Sequence, residues 1–501
     1  MVYNLLIFIS LFYSLASADY TNYHLKKNDD IIEKIQTILS ENNNSNIKIS
    51  LERGEYQLSN INAMHHLLEF NNVKNFELDG NGSELIINSE HKGFIRITDS
   101  ENIHFSNFSI DYSTLPNASG KIIAIDRKQH HIILKMDIDN THYLEKNFHN
   151  TIEKKIYAFA FISPGIVKRG GTPVTFIRDI DFMPNGNAVL SYEEGNTSLE
   201  VTDNITIVFR YKQPLVNMQY SKKLYFKNIT AYASPSGVFV GKEVTEPMFD
   251  GCNVLLKKGR NISSNGDVFH FQSSRAGIKI SHATVEGVGD DIIALYSSPM
   301  KSESILSVNT LAVEPKNFIM QNGDRIDFFN EVSGEIFHSN TVSNIVKKNQ
   351  QFYVQFSSNL PPDIDLKALK LYDRNCNSEG FSIENSIFKN SVRYGCFLLR
   401  SSGGLIKNNL FTNLGGAAIS IKNIFKAQEG LNSENITIAE NNMSNCGYGF
   451  VKSFPLIEIR FSKKSGVSGS DTQKSIRIIH NKMENEKLFS IQNVANFYLE
   501  Q

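Results

Sequence analysis

The 501-residue chain has no tryptophan, 12 prolines and 4 cysteines, and 51 Lys plus Arg are balanced by 52 Asp plus Glu. A net charge of −1 provides no global field for nucleic acid or an anionic membrane, so any charged partner is met locally. Cys252, Cys376, Cys396 and Cys446 are too sparse for a disulfide framework and lack metal-ligand or redox spacing, which leaves them as small core residues. Without a His/Cys cluster a zinc site is not expected, and no cofactor is expected either. The apolar run from Leu5 to Leu15 is too short to span a bilayer.

What is present is an ordinary globular balance, 41% apolar and 21% charged, enough for a large core. Asn is abundant, a bias that suits turn-rich β structure better than helical bundles. The Leu5–Leu15 run followed by Ala16-Ser17-Ala18 has the small-x-small form of a secretory signal ending at Ala18, so an exported chain is expected, periplasmic or extracellular. Asn107, Asn228, Asn261 and Asn435 each open an Asn-x-Ser/Thr triplet, which matters only in a eukaryotic host.

A short pattern recurs along the chain: an apolar residue, a polar one two positions later, and a second apolar residue three after that. The copies are Ile280-His282-Val285, Ile383-Asn385-Phe388, Ile406-Asn408-Phe411 and Ile438-Glu440-Met443. Apolar pairs follow at one offset, Ile293/Leu295, Phe397/Leu399 and Ile419/Ile421, and Phe269/Phe271 lie one period earlier. Short strands at this period, separated by Gly, Asn and Ser corners, predict an all-β fold, a right-handed parallel β-helix in which each coil stacks on its predecessor. An antiparallel sandwich would need two-residue hairpins and would not keep a constant offset. Phe76, Leu78, Ile86, Ile95, Ile97, Ile103, Phe105, Phe108 and Ile110 read as early coils, with a corner at Asp79-Gly80-Asn81-Gly82. Residues 30–40 have the apolar spacing of an N-terminal capping helix.

The organisation expected is a signal over 1–18, the cap and first coils over 19–118, and an inserted antiparallel β subdomain over 119–211. Central coils with the site follow over 212–296, then an insertion walling the site over 297–376 and final coils over 377–501.

The register aligns Asp267 with Asp291, each two residues before an inward Phe269 or Ile293. Adjacent rungs lie ~4.8 Å apart, so the two carboxylates stack, with Asp290 beside them. Crowded like charges raise at least one pKa, as a general acid near neutrality requires. An outer file is expected in which Val268, His270 and Gln272 lie under Ile292, Ala294 and Tyr296, and these under Tyr394, Cys396 and Leu398. Gln272, Tyr296, Arg400 and Lys422 then share one offset, a file suited to a sugar ring. Arg275 and Arg393 flank the acids. The same carboxylates are also of the type that holds Ca²⁺.

At Asn265-Gly266-Asp267-Val268-Phe269-His270-Phe271, Ser274-Arg275-Ala276-Gly277-Ile278-Lys279-Ile280 and Val285-Glu286-Gly287-Val288-Gly289-Asp290-Asp291 the sequence resembles glycoside hydrolase family 110, the β-helical α-1,3-galactosidases. The resemblance implies Asp267, Asp290 and Asp291 as catalytic acids in the inverting hydrolysis of terminal α-1,3-linked galactose. The glycan substrate it implies would be met by the candidates already read from the register and its flanks, His270, Gln272, Arg275, Tyr296, Arg393 and Arg400. After the paired acids the family reads Ala-Ile-Asn-Val-His, where this chain has Ile292-Ile293-Ala294-Leu295-Tyr296. Gly289-Asp290-Asp291-Ile292-Ile293-Ala294 is also similar to the polygalacturonase family, which implies hydrolysis of an acidic polysaccharide as the alternative, although no Gly-His-Gly or Arg-Ile-Lys follows. A non-catalytic carbohydrate-binding β-helix is the third reading.

Overall fold

The computed structural model describes residues 20–42, 46–60, 62–137, 156–169, 174–193, 199–209, 212–424, 429–450, 452–461, 473–485 and 487–500. The expected signal, residues 1–18, lies outside them. Among the described residues no helix is long and apolar enough to cross a membrane.

The chain winds into a parallel β-helix whose turns present three faces. Two of them form one 20-stranded sheet and the third is a 10-stranded sheet. Early strands such as Glu101–Tyr112 and Lys222–Ala231 run through the corner between the first two faces, and later turns divide into pairs such as Lys279–Ser281 and Thr284–Val288. The repeat read from the sequence is the register of these faces: Ile280, Ile383, Ile406 and Ile438 stack on one, and Val285, Phe388, Phe411 and Met443 on the next.

The polar residue between them has a conformational reason. His282, Asn385, Asn408 and Glu440 turn the corner at φ of 53°, 53°, 55° and 55°, the left-handed region that Asn tolerates better than most side chains. Stacked corners also let the amides bond from turn to turn, as in Asn408 Nδ2 to Asn385 Oδ1 at 2.7 Å. A buried ladder does the same, with Asn409 Nδ2 donating to Asn441 Oδ1 at 3.0 Å and Asn441 Nδ2 to Asn481 Oδ1 at 2.9 Å. The abundance of Asn thus serves turn stacking. Among the Asn-x-Ser/Thr triplets, Asn107, Asn228 and Asn261 already donate their amides, to Asp79, Asn107 and Thr206.

Inside, side chains stack in register. The Phe226 and Phe249 rings lie 5.2 Å apart and 7° from parallel, and Phe239 and Phe269 lie 5.4 Å and 11° apart. One helix, Ile31–Glu41, starts at Asp30, whose carboxylate accepts from the N–H groups of Ile32 and Glu33. It buries Ile31, Ile32, Ile35 and Ile38 in the same core as Leu67, Leu68 and Phe70. All four cysteines are buried and free.

Two excursions leave the coil. Between Asn117 and Phe209 a seven-stranded antiparallel sheet packs on its own core, which includes Ile132, Ile156, Leu190 and Ile207. Between Ser302 and Asp373 a six-stranded antiparallel sheet has another, around Phe328, Val354 and Leu371. The parallel β-helix, inserted antiparallel sheet and N-terminal helix expected from the sequence are all present.

Several expected positions differ. Leu85 and Ile87 are buried and Ile86 is not, because the bend at Asn81-Gly82 shifts the alternation by one. Val268 and Ile292 belong to the core and not to the outer face. Ile293 pairs with Cys396 and Leu295 with Leu398, so Phe397 and Leu399 point outward, one residue off the expected register. The outer file is therefore His270, Ala294 and Phe397, and beside it Gln272, Tyr296 and Leu399. Arg400 falls one position beyond it.

Candidate active site

The three acids sit at the leading edge of the 10-stranded sheet, where Phe269–Gln272 and Ile293–Tyr296 begin. Glycines make the approach tight enough: a Cβ on Gly289 would lie 2.8 Å from the carbonyl oxygen of Ser264, and one on Gly266 would lie 3.1 Å from the nitrogen of Gly237. Asn265, just before this corner, donates to the carbonyl of Pro116 and accepts from Asn117, which ties the site to the root of the first excursion.

Asp267, Asp290 and Asp291 converge, with an oxygen of each within 4.8 Å of the others. Asp267 accepts from the backbone N–H of Asp291 at 2.9 Å, and its other oxygen is bonded to His270 Nδ1. His270 Nε2 reaches Tyr296 Oη, 3.1 Å away on the next rung. Asp290 accepts from Arg393 at 2.6 Å, and the same guanidinium lies 3.5 Å from Asp291. Asp291 also accepts from the N–H of Tyr394 at 3.2 Å.

Burial decides the charge states. Asp291 is 4% exposed. Its burial, foremost, pushes the carboxyl up to about 7, with Asp290 and Asp267 adding to the rise and Arg393 opposing it. Burial acts against charge on His270 as well, but its bond to Asp267 and the three carboxylates outweigh it and the imidazole pKa rises. The Arg393 guanidinium is held charged in the same way, burial being outweighed by Asp290, Asp291 and Asp267. Asp267, His270 and Asp290 line an open cleft of about 240 Å³ with Ser236, Gly237 and Val240, and Asp291 lies beneath them.

The other candidate residues divide. Tyr296 and Arg393 join the cluster through the contacts above. Gln272 donates to Ser298 at 2.9 Å on the same face. Arg275 stands at the opposite edge, where its guanidinium binds Asp324 at 2.9 and 3.0 Å and the carbonyl of Ile319 at 2.8 Å, docking the second excursion. Arg400 is 3% exposed and bonds Asp327 of that excursion at 2.9 Å.

A wall closes one side of the cluster. Tyr394 stacks on Phe397 at 4.8 Å, both pack with Tyr296 and Phe454, and Lys422 donates to Tyr394 Oη at 3.1 Å. Glu429 belongs to this wall: Gly430 N–H bonds the carbonyl of Ser297, and the Glu429 carboxyl acts electrostatically on Tyr296, His270 and Arg393. Sequence reasoning passed over Glu429, which lies in a connection with no repeat or motif to mark it. Among the described residues, the trio is the group whose oxygens converge as a cation would need. Arg393 and His270 already supply positive charge there.

The resemblance to α-1,3-galactosidases extends along most of the chain. It is 23% identical over 447 residues to α-1,3-galactosidase A of Shewanella woodyi, covering 83% of this chain and 71% of that protein. It is 21% identical over 378 residues to α-1,3-galactosidase B of Akkermansia muciniphila, covering 69% of this chain and 45% of the relative. These homologues are glycoside hydrolases. No family model matches the chain. Among solved structures, it aligns with a family 28 exopolygalacturonase of Yersinia enterocolitica at 9% identity and a TM-score of 0.44, covering 95% of this chain and 78% of that one. It also aligns with the A-module of a mannuronan C-5 epimerase of Azotobacter vinelandii at 10% identity and a TM-score of 0.40, covering 96% of each.

Proposed function

We propose that the protein is a secreted glycoside hydrolase that removes terminal α-linked galactose, as an α-1,3-galactosidase does, with Asp267, Asp290 and Asp291 as its catalytic carboxyls. The observation that carries this reading is the convergence of the three acids beside one open cleft lined by Asp267 and Asp290, with the buried Asp291 neutral up to about pH 7, in a chain whose curated homologues are α-1,3-galactosidases. Coils 212–296 carry the acids, the final coils 377–501 supply Arg393 and the aromatic wall, and the two insertions are rooted beside this face through Asn117 and Asp324.

The trio acts as one unit holding a proton. That proton passes to the glycosidic oxygen as its bond to C1 breaks, while Asp267, facing the cleft, takes a proton from the water whose oxygen bonds C1. Transfer from Asp267 to Asp291 within the trio restores the starting state. Positively charged His270 and Arg393 keep the remaining carboxylates ionised and in place. Inversion is what the family resemblance implies. A second reading, retention through a covalent glycosyl-carboxylate, is favoured by one observation: oxygens within 4.8 Å are nearer the ~5–5.5 Å of retaining pairs than the ~6.5–9.5 Å of inverting ones.

The test is release of free galactose from α-1,3-galactosyl oligosaccharides by wild type, Asp267→Asn and Asp291→Asn. Release by wild type alone upholds the reading, and equal release by all three rejects it. Proton NMR of the first-formed sugar separates inversion, which gives the β anomer, from retention, which gives the α anomer.

A further inference from the structure

The outer face of the 10-stranded sheet changes character at the acid site. In Val216–Gln219, Phe239–Lys242 and Phe269–Gln272 buried and part-exposed residues alternate, so every second side chain reaches solvent. In Ile293–Tyr296 only Tyr296 does, and Cys396–Leu399 and Ile419–Lys422 are buried throughout. The face is therefore a strip that is open towards the N-terminal end of the solenoid and shut on the other side by the wall of Tyr394, Phe397 and Phe454.

Two rows of side chains run along the open part in register. One is Thr98, Gln219, Lys242, Gln272 and Tyr296; the other is Glu69, Arg96, Asn217, Val240, His270 and Ala294. Five of these eleven residues, Thr98, Asn217, Gln219, Gln272 and Tyr296, are amides or hydroxyls, Glu69 and Arg96 offset each other, and Lys242 adds a further hydrogen-bond donor. At ~4.8 Å per rung, the four rung spacings from His270 back to Glu69 make ~19 Å, well beyond the span of one sugar ring. The strip is continuous with the acid site, because Val240 and His270 line the cleft that holds Asp267 and Asp290. Along its far edge runs a polar groove of about 600 Å³ lined by Tyr220, Lys222, Glu243, Arg275 and Gln321. There Tyr220 is 43% exposed, with Lys242 Nζ 6.0 Å from its ring centroid, an aromatic flanked by hydrogen-bonding groups of the kind that stacks a sugar.

We infer that the strip is an aglycone-binding site for a neutral oligosaccharide, with the terminal sugar against the closed wall and the chain it is cut from running over Asn217, Gln219, Lys242 and Tyr220. This rests on the glycoside hydrolase reading and adds the substrate class: an extended glycan, in preference to a disaccharide or a small galactoside. Direct hydrogen bonds and ring stacking along the strip contribute to transition-state binding from parts of the substrate that do not react.

The test compares kcat/KM for p-nitrophenyl α-galactoside with that for α-1,3-galactosyl di-, tri- and tetrasaccharides, in wild type, Gln219→Ala/Lys242→Ala and Tyr220→Ala. The expected result is a rise of about tenfold or more from di- to tetrasaccharide in wild type, equivalent to ~1.4 kcal/mol, and a tetrasaccharide-to-disaccharide ratio near one in the double variant. A wild-type ratio near one, or a ratio left unchanged by both variants, overturns the inference. If wild type cleaves none of these, the hydrolase reading fails separately, and calorimetric titration of the tetrasaccharide decides the strip. Binding weakened about tenfold by the double variant upholds the strip, and equal or absent binding overturns it.

Discussion

The backbone N–H of Asp291 donates to the side chain of Asp267, 24 positions earlier, at 2.9 Å. One rung's carboxylate thus sets the next rung's main chain, and the most deeply buried acid of the cluster is positioned by one that faces the cleft.

Asp267→Asn keeps an oxygen for that bond but loses the ability to take a proton. It is expected to fold normally and to lower kcat by about 10²–10⁴, the usual worth of a general base, in a galactose-release assay. More than a tenth of wild-type turnover would contradict the role.

Asp291 is neutral in the folded chain up to about pH 7. Activity that needs its proton therefore falls as pH rises through about 7, and the kcat profile is expected to show that alkaline limb. Stability runs the same way. At Asp291 the folded state binds more protons than the unfolded one between the ordinary carboxyl value of 3.8 and about 7, so this group's contribution to stability is fullest below that window and declines across it. Asp291→Asn removes the decline, and its Tm should exceed that of wild type at pH 8 but not at pH 4, as measured by scanning calorimetry.

Arg393 opposes the rise at Asp291 and bonds Asp290. Arg393→Met is expected to move the alkaline limb of kcat upward. It should also destabilise the fold by about 1–2 kcal/mol, a moderate cost because the side chain is 30% exposed. A limb at an unchanged pH would separate Arg393 from the titration.

With Arg393 and His270 already engaged by the trio, chelation should leave turnover unchanged. Activity lost to EDTA and restored by Ca²⁺ would recast the trio as a cation site.

The Asn ladder is testable without any substrate. Asn409→Ala leaves the N–H of Ser386 without its acceptor and the carbonyl of Ile383 without its donor in a buried place, at a cost of about 1–3 kcal/mol. A drop of a few degrees in Tm is expected, whereas Asn442→Ala, at an exposed strand position, should change it far less.

The coil, the helix and the neighbourhood of Asp267, Asp290 and Asp291 could be read in the sequence because buried and part-exposed residues alternate in the strands up to Phe269–Gln272. The reading slipped at Cys396-Phe397-Leu398-Leu399, where all four side chains are apolar. Inward and outward cannot be told apart by period there, since a second apolar cluster covers the outer face. That slip placed Arg400 in the file. Its true partner, Asp327, arrives from an excursion whose docking no local pattern announces. Arg275 has the same history, its charge taken by Asp324. Glu429 was missed because its position depends on the Gly430 contact with Ser297, a long-range bond with no trace in the adjacent residues.

Ile293 and Cys396 are sheet neighbours separated by the whole second excursion. At a translation speed of ~5–20 residues per second, Asp290 and Asp291 leave the ribosome roughly 5–20 seconds before Arg393. The nascent chain thus carries Asp290 and Asp291 without their Arg393 partner, with His270 as the earlier-made cation, until the intervening segment has been made. Closure of the acidic cluster by Arg393 is thereby bound to late synthesis, and a product truncated before Arg393 would lack that guanidinium.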